Sequence, residues 1–123
     1  MDTQPFFSVI IPTFNRSSFL TIAVDSVLKQ SLADFELIVI DEGSTEETKE
    51  VISKQNDKRI IYEYQENKGV AAARNKGISL SRGRFVAFLD SDDKWVPEKL
   101  TVTSEYIKKF PEIHIFHTEE VWF

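Results

Sequence analysis

The chain has 123 residues, enough for one compact domain and too few for two. Hydrophobic residues make up 41% and charged residues 28%, with a net charge of −5 and no basic block, so no nucleic-acid partner is expected. The chain holds no cysteine, which excludes disulfides, thiolate metal sites and cysteine nucleophiles.

No apolar run approaches the ~20 residues of a membrane helix, and the acidic start lacks a basic n-region, so neither a transmembrane segment nor a signal peptide is expected. The expected location is cytoplasmic, or the inner face of a membrane for a longer parent protein.

Phe6-Phe7-Ser8-Val9-Ile10-Ile11 reads as a first strand, stopped by Pro12, which lacks the amide a central strand needs. A polar turn, Thr13-Phe14-Asn15-Arg16, leads to a helix over residues 17–30, with Phe19, Ala23 and Val27 on one face flanked by Leu20, Val24 and Leu28. Residues 35–40 form a second buried strand, ending in Asp41-Glu42-Gly43. Ser44 followed by Glu47 fits a capping box opening a helix to about residue 55, with Val51 and Ile52 as its apolar contacts. Residues 60–64 alternate more and predict a third strand near a sheet edge. Asn67-Lys68-Gly69 is turn chemistry, and an alanine-rich helix holding Arg74 and Asn75 in a buried setting runs from 70 to 81, with Gly83 in the C′ role. Phe85-Val86-Ala87-Phe88-Leu89 predicts a fourth strand, buried on both faces, that runs into Asp90-Ser91-Asp92-Asp93. Pro97 and Glu98 suit a helix first turn, and Val96, Leu100, Ile107 and Phe110 give that helix its apolar face. Pro111 ends it, and residues 113–116 begin a fifth strand.

Strand and helix alternate throughout, the pattern of an α/β domain with a largely parallel sheet. All carboxyl ends of such a sheet lie on one edge, so residues 12–16, 41–42, 67–69 and 90–93 converge on one crevice. Three clustered aspartates repel one another. At about 4 Å and an effective dielectric of about 20, two such charges cost about 4 kcal/mol, which solvent, raised pKa values or a cation relieves. They also suit plain turn and capping roles. A calcium loop fails, because its third ligand would be Lys94, its glycine Trp95 and its closing glutamate Thr101. What remains is a shallow oxygen-only site for Mg²⁺ or Mn²⁺. No glycine-rich dinucleotide loop or phosphate loop is present, so bound phosphates would need a cation to neutralise them. His114 and His117 lack metal-helix spacing and read as ordinary strand residues.

The segments Val9-Ile10-Ile11-Pro12-Thr13-Phe14-Asn15-Arg16, Leu37-Ile38-Val39-Ile40-Asp41-Glu42-Gly43-Ser44-Thr45, Asn67-Lys68-Gly69-Val70-Ala71-Ala72-Ala73-Arg74-Asn75 and Phe88-Leu89-Asp90-Ser91-Asp92-Asp93 resemble, in order, the motifs of family 2 glycosyltransferases of the GT-A fold. The resemblance spans nearly the whole chain and implies the N-terminal, Rossmann-like, nucleotide-sugar-binding half of an inverting enzyme that uses a UDP-sugar. It implies that Pro12, Thr13, Phe14, Asn15 and Arg16 help bind the donor, with Pro12 and Phe14 lining the base pocket. An acid of the Asp41–Glu42 pair would accept from the base N–H, with Arg74, Asn75, Asp90 and Asp92 as further donor contacts. Asp92 and Asp93 would hold Mn²⁺ or Mg²⁺ in a DxD-type motif.

Glu42 departs from the family's usual aspartate by one methylene. No residue before Phe123 matches the family's catalytic base, so the expectation is a single-domain piece, residues 1–123, of a longer enzyme, unable alone to complete transfer to a glycan or lipid-linked acceptor. Two other readings compete: a non-catalytic nucleotide-binding module of the same architecture, and a metal-dependent phosphotransferase. The phosphotransferase would need an aspartyl nucleophile after the first strand, which is missing.

Overall fold

The computed structural model describes residues 4–15, 17–44 and 46–110. The expected strand at residues 113–116, both histidines, Arg16 and Thr45 lie outside the described residues. Strands and helices alternate as β1 (Phe7–Thr13), α1 (Ser17–Leu28), β2 (Phe35–Glu42), α2 (Glu46–Ser53), β3 (Ile60–Gln65), α3 (Val70–Leu80), β4 (Phe85–Phe88) and α4 (Lys99–Lys109). The strands form one parallel sheet in the order β3-β2-β1-β4.

The two central strands are buried along their whole length, their apolar runs at residues 9–11 and 37–40 together with the polar residues that flank them. Alternation splits their side chains between two layers. Val9, Ile11, Leu37 and Val39 join Leu20, Ala23, Val24 and Val27 of α1, Ile52 of α2 and Leu100 and Ile107 of α4. Ile10, Ile38 and Ile40 instead face α3 at Ala73. Among the described residues β3 pairs only with β2, at the edge that its alternation predicts.

β4 is only partly buried, not buried on both faces as expected. Its side chains reach both layers, Phe85 and Ala87 on one and Phe88 on the other, but among the described residues it pairs only with β1. Val86 is accordingly 38% exposed. An apolar run reports packing above and below a strand and says nothing about neighbours beside it.

Helix α1 ends at Leu28, short of residue 30, and buries Leu20, Ala23, Val24 and Val27. Phe19, assigned to the apolar face by its spacing, is 52% exposed. The stripe is rotated one position because apolar residues nearly encircle this helix, so periodicity alone leaves its facing open. Gln30, beyond the helix end, is buried and cross-links to α4. Its amide donates to the Val96 carbonyl and its carbonyl accepts from the Leu100 amide. α4 begins at Lys99, after Pro97 and Glu98, with Glu98 as its N-cap residue.

Two glycines mark close approaches to β1. A Cβ on Gly77 would sit 2.5 Å from Ile10 Cγ2, so α3 lies on the sheet at a distance only glycine permits. Gly77→Ala should therefore destabilise the chain by about 2 kcal/mol through overpacking, read from urea unfolding; an unchanged midpoint would mean the helix has room to spare. Gly83 does not act at C′ as expected. Ser81 is the C-cap of α3, and Gly83 instead lies against β1, where a Cβ would be 2.5 Å from the Ser8 nitrogen.

The amino edge of the sheet carries a buried polar clip. Glu36 Oε2 accepts from Ser8 Oγ at 2.6 Å and from the Arg82 amide at 2.7 Å, Glu36 Oε1 accepts from Arg82 Nε at 3.1 Å, and Ser8 Oγ accepts from the Gly83 amide at 2.7 Å. It ties β1, β2 and the α3–β4 loop together. Burial alone would raise the Glu36 pKa, but the bonds from Ser8 and Arg82 outweigh it and hold the carboxyl below its ordinary 4.5.

Candidate functional site

The ends of β1 and β2 meet at the carboxyl edge, where Thr13 stands beside Asp41 in register. Consecutive strand residues point to opposite faces, so the two acids of β2 part company. Asp41 continues the Leu37–Val39 side, Glu42 the Ile38–Ile40 side. Asp41 is completely buried, and both its oxygens are engaged: Oδ1 accepts from the Ser44 amide at 2.8 Å and Oδ2 from the Tyr62 hydroxyl at 2.5 Å. Ser44 Oγ in turn accepts from the Asn15 amide at 2.7 Å. The capping box assigned that hydroxyl to the next helix. It accepts from the neighbouring loop, and the described part of α2 runs from Glu46. Asn15 sits at φ 51°, a left-handed conformation that asparagine tolerates better than most residues, and so turns the chain from β1 toward α1. Phe14 beside it is 43% exposed.

Glu42 is buried, with 6% exposure, yet its Oε1 finds no hydrogen-bond partner among the described residues. Burial first, and the Asp41 charge second, push its pKa above 4.5. The Thr13 hydroxyl, the Arg74 Nε and the Thr48 hydroxyl in the first turn of α2 are likewise buried without a partner among the described residues. Natural proteins leave few such atoms. All four belong to strand ends or to helix turns that follow strand ends, and three of the four residues were picked out by the sequence or its resemblance.

The remaining predicted positions fall on the same edge. Asn67 Oδ1 accepts from the Gly69 amide at 3.0 Å, and Gly69 at φ 96° opens α3, the turn that this triplet predicts. Arg74 extends over Phe88, 5.5 Å from the ring centroid, and reaches Asp90 Oδ1 at 3.3 Å. Both side chains are substantially solvated, so the pair orients Arg74 more than it stabilises the fold. Arg74 is half-buried and Asn75 exposed, contrary to the buried setting expected for both; α3 turns Ala73 and Gly77 inward instead.

Beyond β4 the Asp93 amide donates to the Asp90 carbonyl, closing a turn, and Asp93 Oδ1 accepts from the Lys94 amide. Ser91 and Trp95 are buried, while Asp90 and Asp92 face solvent. Among the described residues no three His, Asp or Glu side chains group as a complete metal cage. The donor set at Asp92 and Asp93 fits a different arrangement: two carboxylates on a solvent-facing turn suit a Mg²⁺-type ion that takes its other ligands from water and phosphate.

Tyr62 carries no motif in the sequence. Its role emerges only once the strand register places it opposite Val39, on the same face as Asp41.

The model of the family described as glycosyl transferase family 2 matches residues 8–120. The chain belongs to glycosyltransferase family 2. Among family relatives, the putative teichuronic acid biosynthesis glycosyltransferase TuaG of Bacillus subtilis is 42% identical over 107 residues, covering 85% of this chain and 42% of that protein. The UDP-Glc:alpha-D-GlcNAc-diphosphoundecaprenol beta-1,3-glucosyltransferase WfaP of Escherichia coli is 38% identical over 117 residues, covering 94% of this chain and 43% of that one. S. aureus TarS, solved in complex with UDP-GlcNAc, superposes with a TM-score of 0.80 at 32% identity, over 85% of this chain and 32% of its own. The family-2 chain thus carries the GT-A fold, and it spans only 15% to 43% of the length of these and similar curated relatives.

Proposed function

We propose that the chain is the donor-binding half of an inverting glycosyltransferase and holds a nucleoside-diphosphate sugar, a UDP-sugar, at the carboxyl edge of its sheet. The observation that carries the reading is the pair of buried, unpartnered polar atoms on the α3 side of that edge, those of Glu42 and Arg74. The likeness to TarS, solved with UDP-GlcNAc, supports the choice of nucleotide.

In this reading the Glu42 carboxylate accepts from the base N–H, and Pro12 and the exposed Phe14 ring flank the base. Thr13, Asn15 and Arg16 complete that wall. Arg74, held by Asp90 at 3.3 Å, turns its guanidinium toward the phosphates, with Asn75 and Asp92 as further polar contacts. Asp92 and Asp93 would hold Mn²⁺ or Mg²⁺, which when bound supplies Lewis-acid neutralisation of the leaving diphosphate. None of these residues is assigned the deprotonation of the acceptor or the contacts to a glycan or lipid-linked acceptor.

Calorimetric titration of UDP and GDP, with and without Mn²⁺, tests the proposal. UDP should bind in preference to GDP, with affinity raised about tenfold or more by Mn²⁺, and Asp93→Ala should abolish that gain. UDP binding indifferent to the cation sinks the metal assignment, and no UDP binding under either condition sinks the reading.

A further inference from the structure

The hydrogen-bonded ladder between β1 and β2 reaches its last pair at Thr13 and Asp41. Past that pair, side-chain ties help hold the turn bearing Phe14 and Asn15. Three bonds in series provide one: the Tyr62 hydroxyl donates to Asp41 Oδ2, the Ser44 amide donates to Asp41 Oδ1, and the Asn15 amide donates to Ser44 Oγ. The series starts on β3, crosses the end of β2 and finishes on the loop after β1.

Each member has a definite effect. Asp41 is fully buried, so its carboxylate cannot rest on water, and the Tyr62 bond fixes the rotation that aims Oδ1 at the Ser44 amide. Ser44, placed by that bond, offers its oxygen to Asn15. The Tyr62 ring packs against the α1 layer, a contact phenylalanine would keep, so the hydroxyl alone carries the link to Asp41.

We infer that Tyr62 is a positioning residue for the nucleotide site, acting through Asp41 and Ser44 to fix the turn that presents Phe14 and Asn15 to the base. This rests on the functional reading above. It also gives the two acids of β2 separate roles. Asp41 is committed to the scaffold, which leaves Glu42 to face the ligand.

The test uses the 123-residue chain and two readouts. In Tyr62→Phe, amide hydrogen exchange at Ser44 and Asn15 should accelerate by about tenfold, with Leu37 and Val39 amides unchanged. UDP affinity in the presence of Mn²⁺ should fall about five- to tenfold in the same variant. Asp41→Ala should lose at least as much. Asp41→Asn should recover most of it, because its carbonyl can still accept from Ser44 while its amide reaches the Tyr62 oxygen. Ser8→Ala, at the opposite edge, should lower stability and leave UDP affinity alone, separating positioning from general loosening.

Unchanged exchange at Asn15 and Ser44 in Tyr62→Phe overturns the relay, whatever the nucleotide does. Faster exchange with undiminished UDP affinity overturns the positioning role. If the wild-type chain binds no UDP, the functional reading fails and the positioning role fails with it, while the exchange data still judge the relay on their own.

Discussion

Glu36→Gln should destabilise the chain by about 3 kcal/mol at pH 7 and lower its Tm by roughly 10 °C. The carboxylate takes three hydrogen bonds at once, from Ser8 Oγ, the Arg82 amide and Arg82 Nε, and is only 3% exposed. A glutamine offers one carbonyl oxygen and sets an N–H₂ against a donor, so at least one buried group loses its partner. The Arg82 guanidinium is 66% exposed and adds little through its charge alone. The effect lies in the hydrogen bonds, and it spreads because Ser8 also accepts from Gly83.

The pH dependence follows from the depressed pKa. A carboxyl held below its ordinary 4.5 contributes stability that is fully present above that value and is lost as pH falls through the folded-state pKa. The gap between wild type and Glu36→Gln should therefore hold steady from pH 7 to about pH 5 and narrow below 4.5. Urea unfolding at several pH values reads it directly. A gap that widens in acid would contradict the hydrogen-bonded carboxylate.

Neither this clip nor the Tyr62 relay could be read from the sequence, whereas the frame that positions them could. The buried strands carry apolar runs up to Ile11, Ile40 and Leu89, so the change of chemistry after those residues stands out as strand-end chemistry. That contrast makes the alternation of elements and the crowded carboxyl edge legible without any structure. Lateral order is a different kind of information. Phe85 to Leu89 has the composition of an interior strand, yet β4 is only partly buried and among the described residues pairs with β1 alone, and nothing local encodes which strand sits beside which. Facing is also lost where apolar residues surround a helix, as Phe19 shows. Glu36 and Arg82 are separated by 46 positions, and their meeting depends on α3 returning over β1 on a glycine contact. The Ser44 hydroxyl also accepts from Asn15, a neighbour distant in sequence and close in space that no local pattern announces.

Glu42→Gln should act in two opposite directions, raising stability while weakening nucleotide binding. Glu42 lies on the same strand as Glu36, on the same face, six positions along. It too is buried, but its Oε1 has no partner among the described residues and its pKa moves up, through burial first and the Asp41 charge second. The linkage is then reversed. A raised folded-state pKa gives a contribution that is fully present below the ordinary 4.5 and is lost as pH rises through the folded value. At pH 7 the ionised carboxylate is a liability to the fold. Replacing it with a neutral amide of the same shape should stabilise the chain by about 1 kcal/mol, a Tm increase of roughly 4 °C, and the gain should vanish below pH 4.5. The same substitution exchanges a charge-assisted acceptor for a neutral one, so UDP affinity should fall about tenfold. A stabilised variant that binds UDP as tightly as wild type would remove Glu42 from the base pocket, and a destabilised one would mean the carboxylate is satisfied in the free chain. Both outcomes together, more stable and less able to bind, are what a polar group held unpaired for a ligand must give.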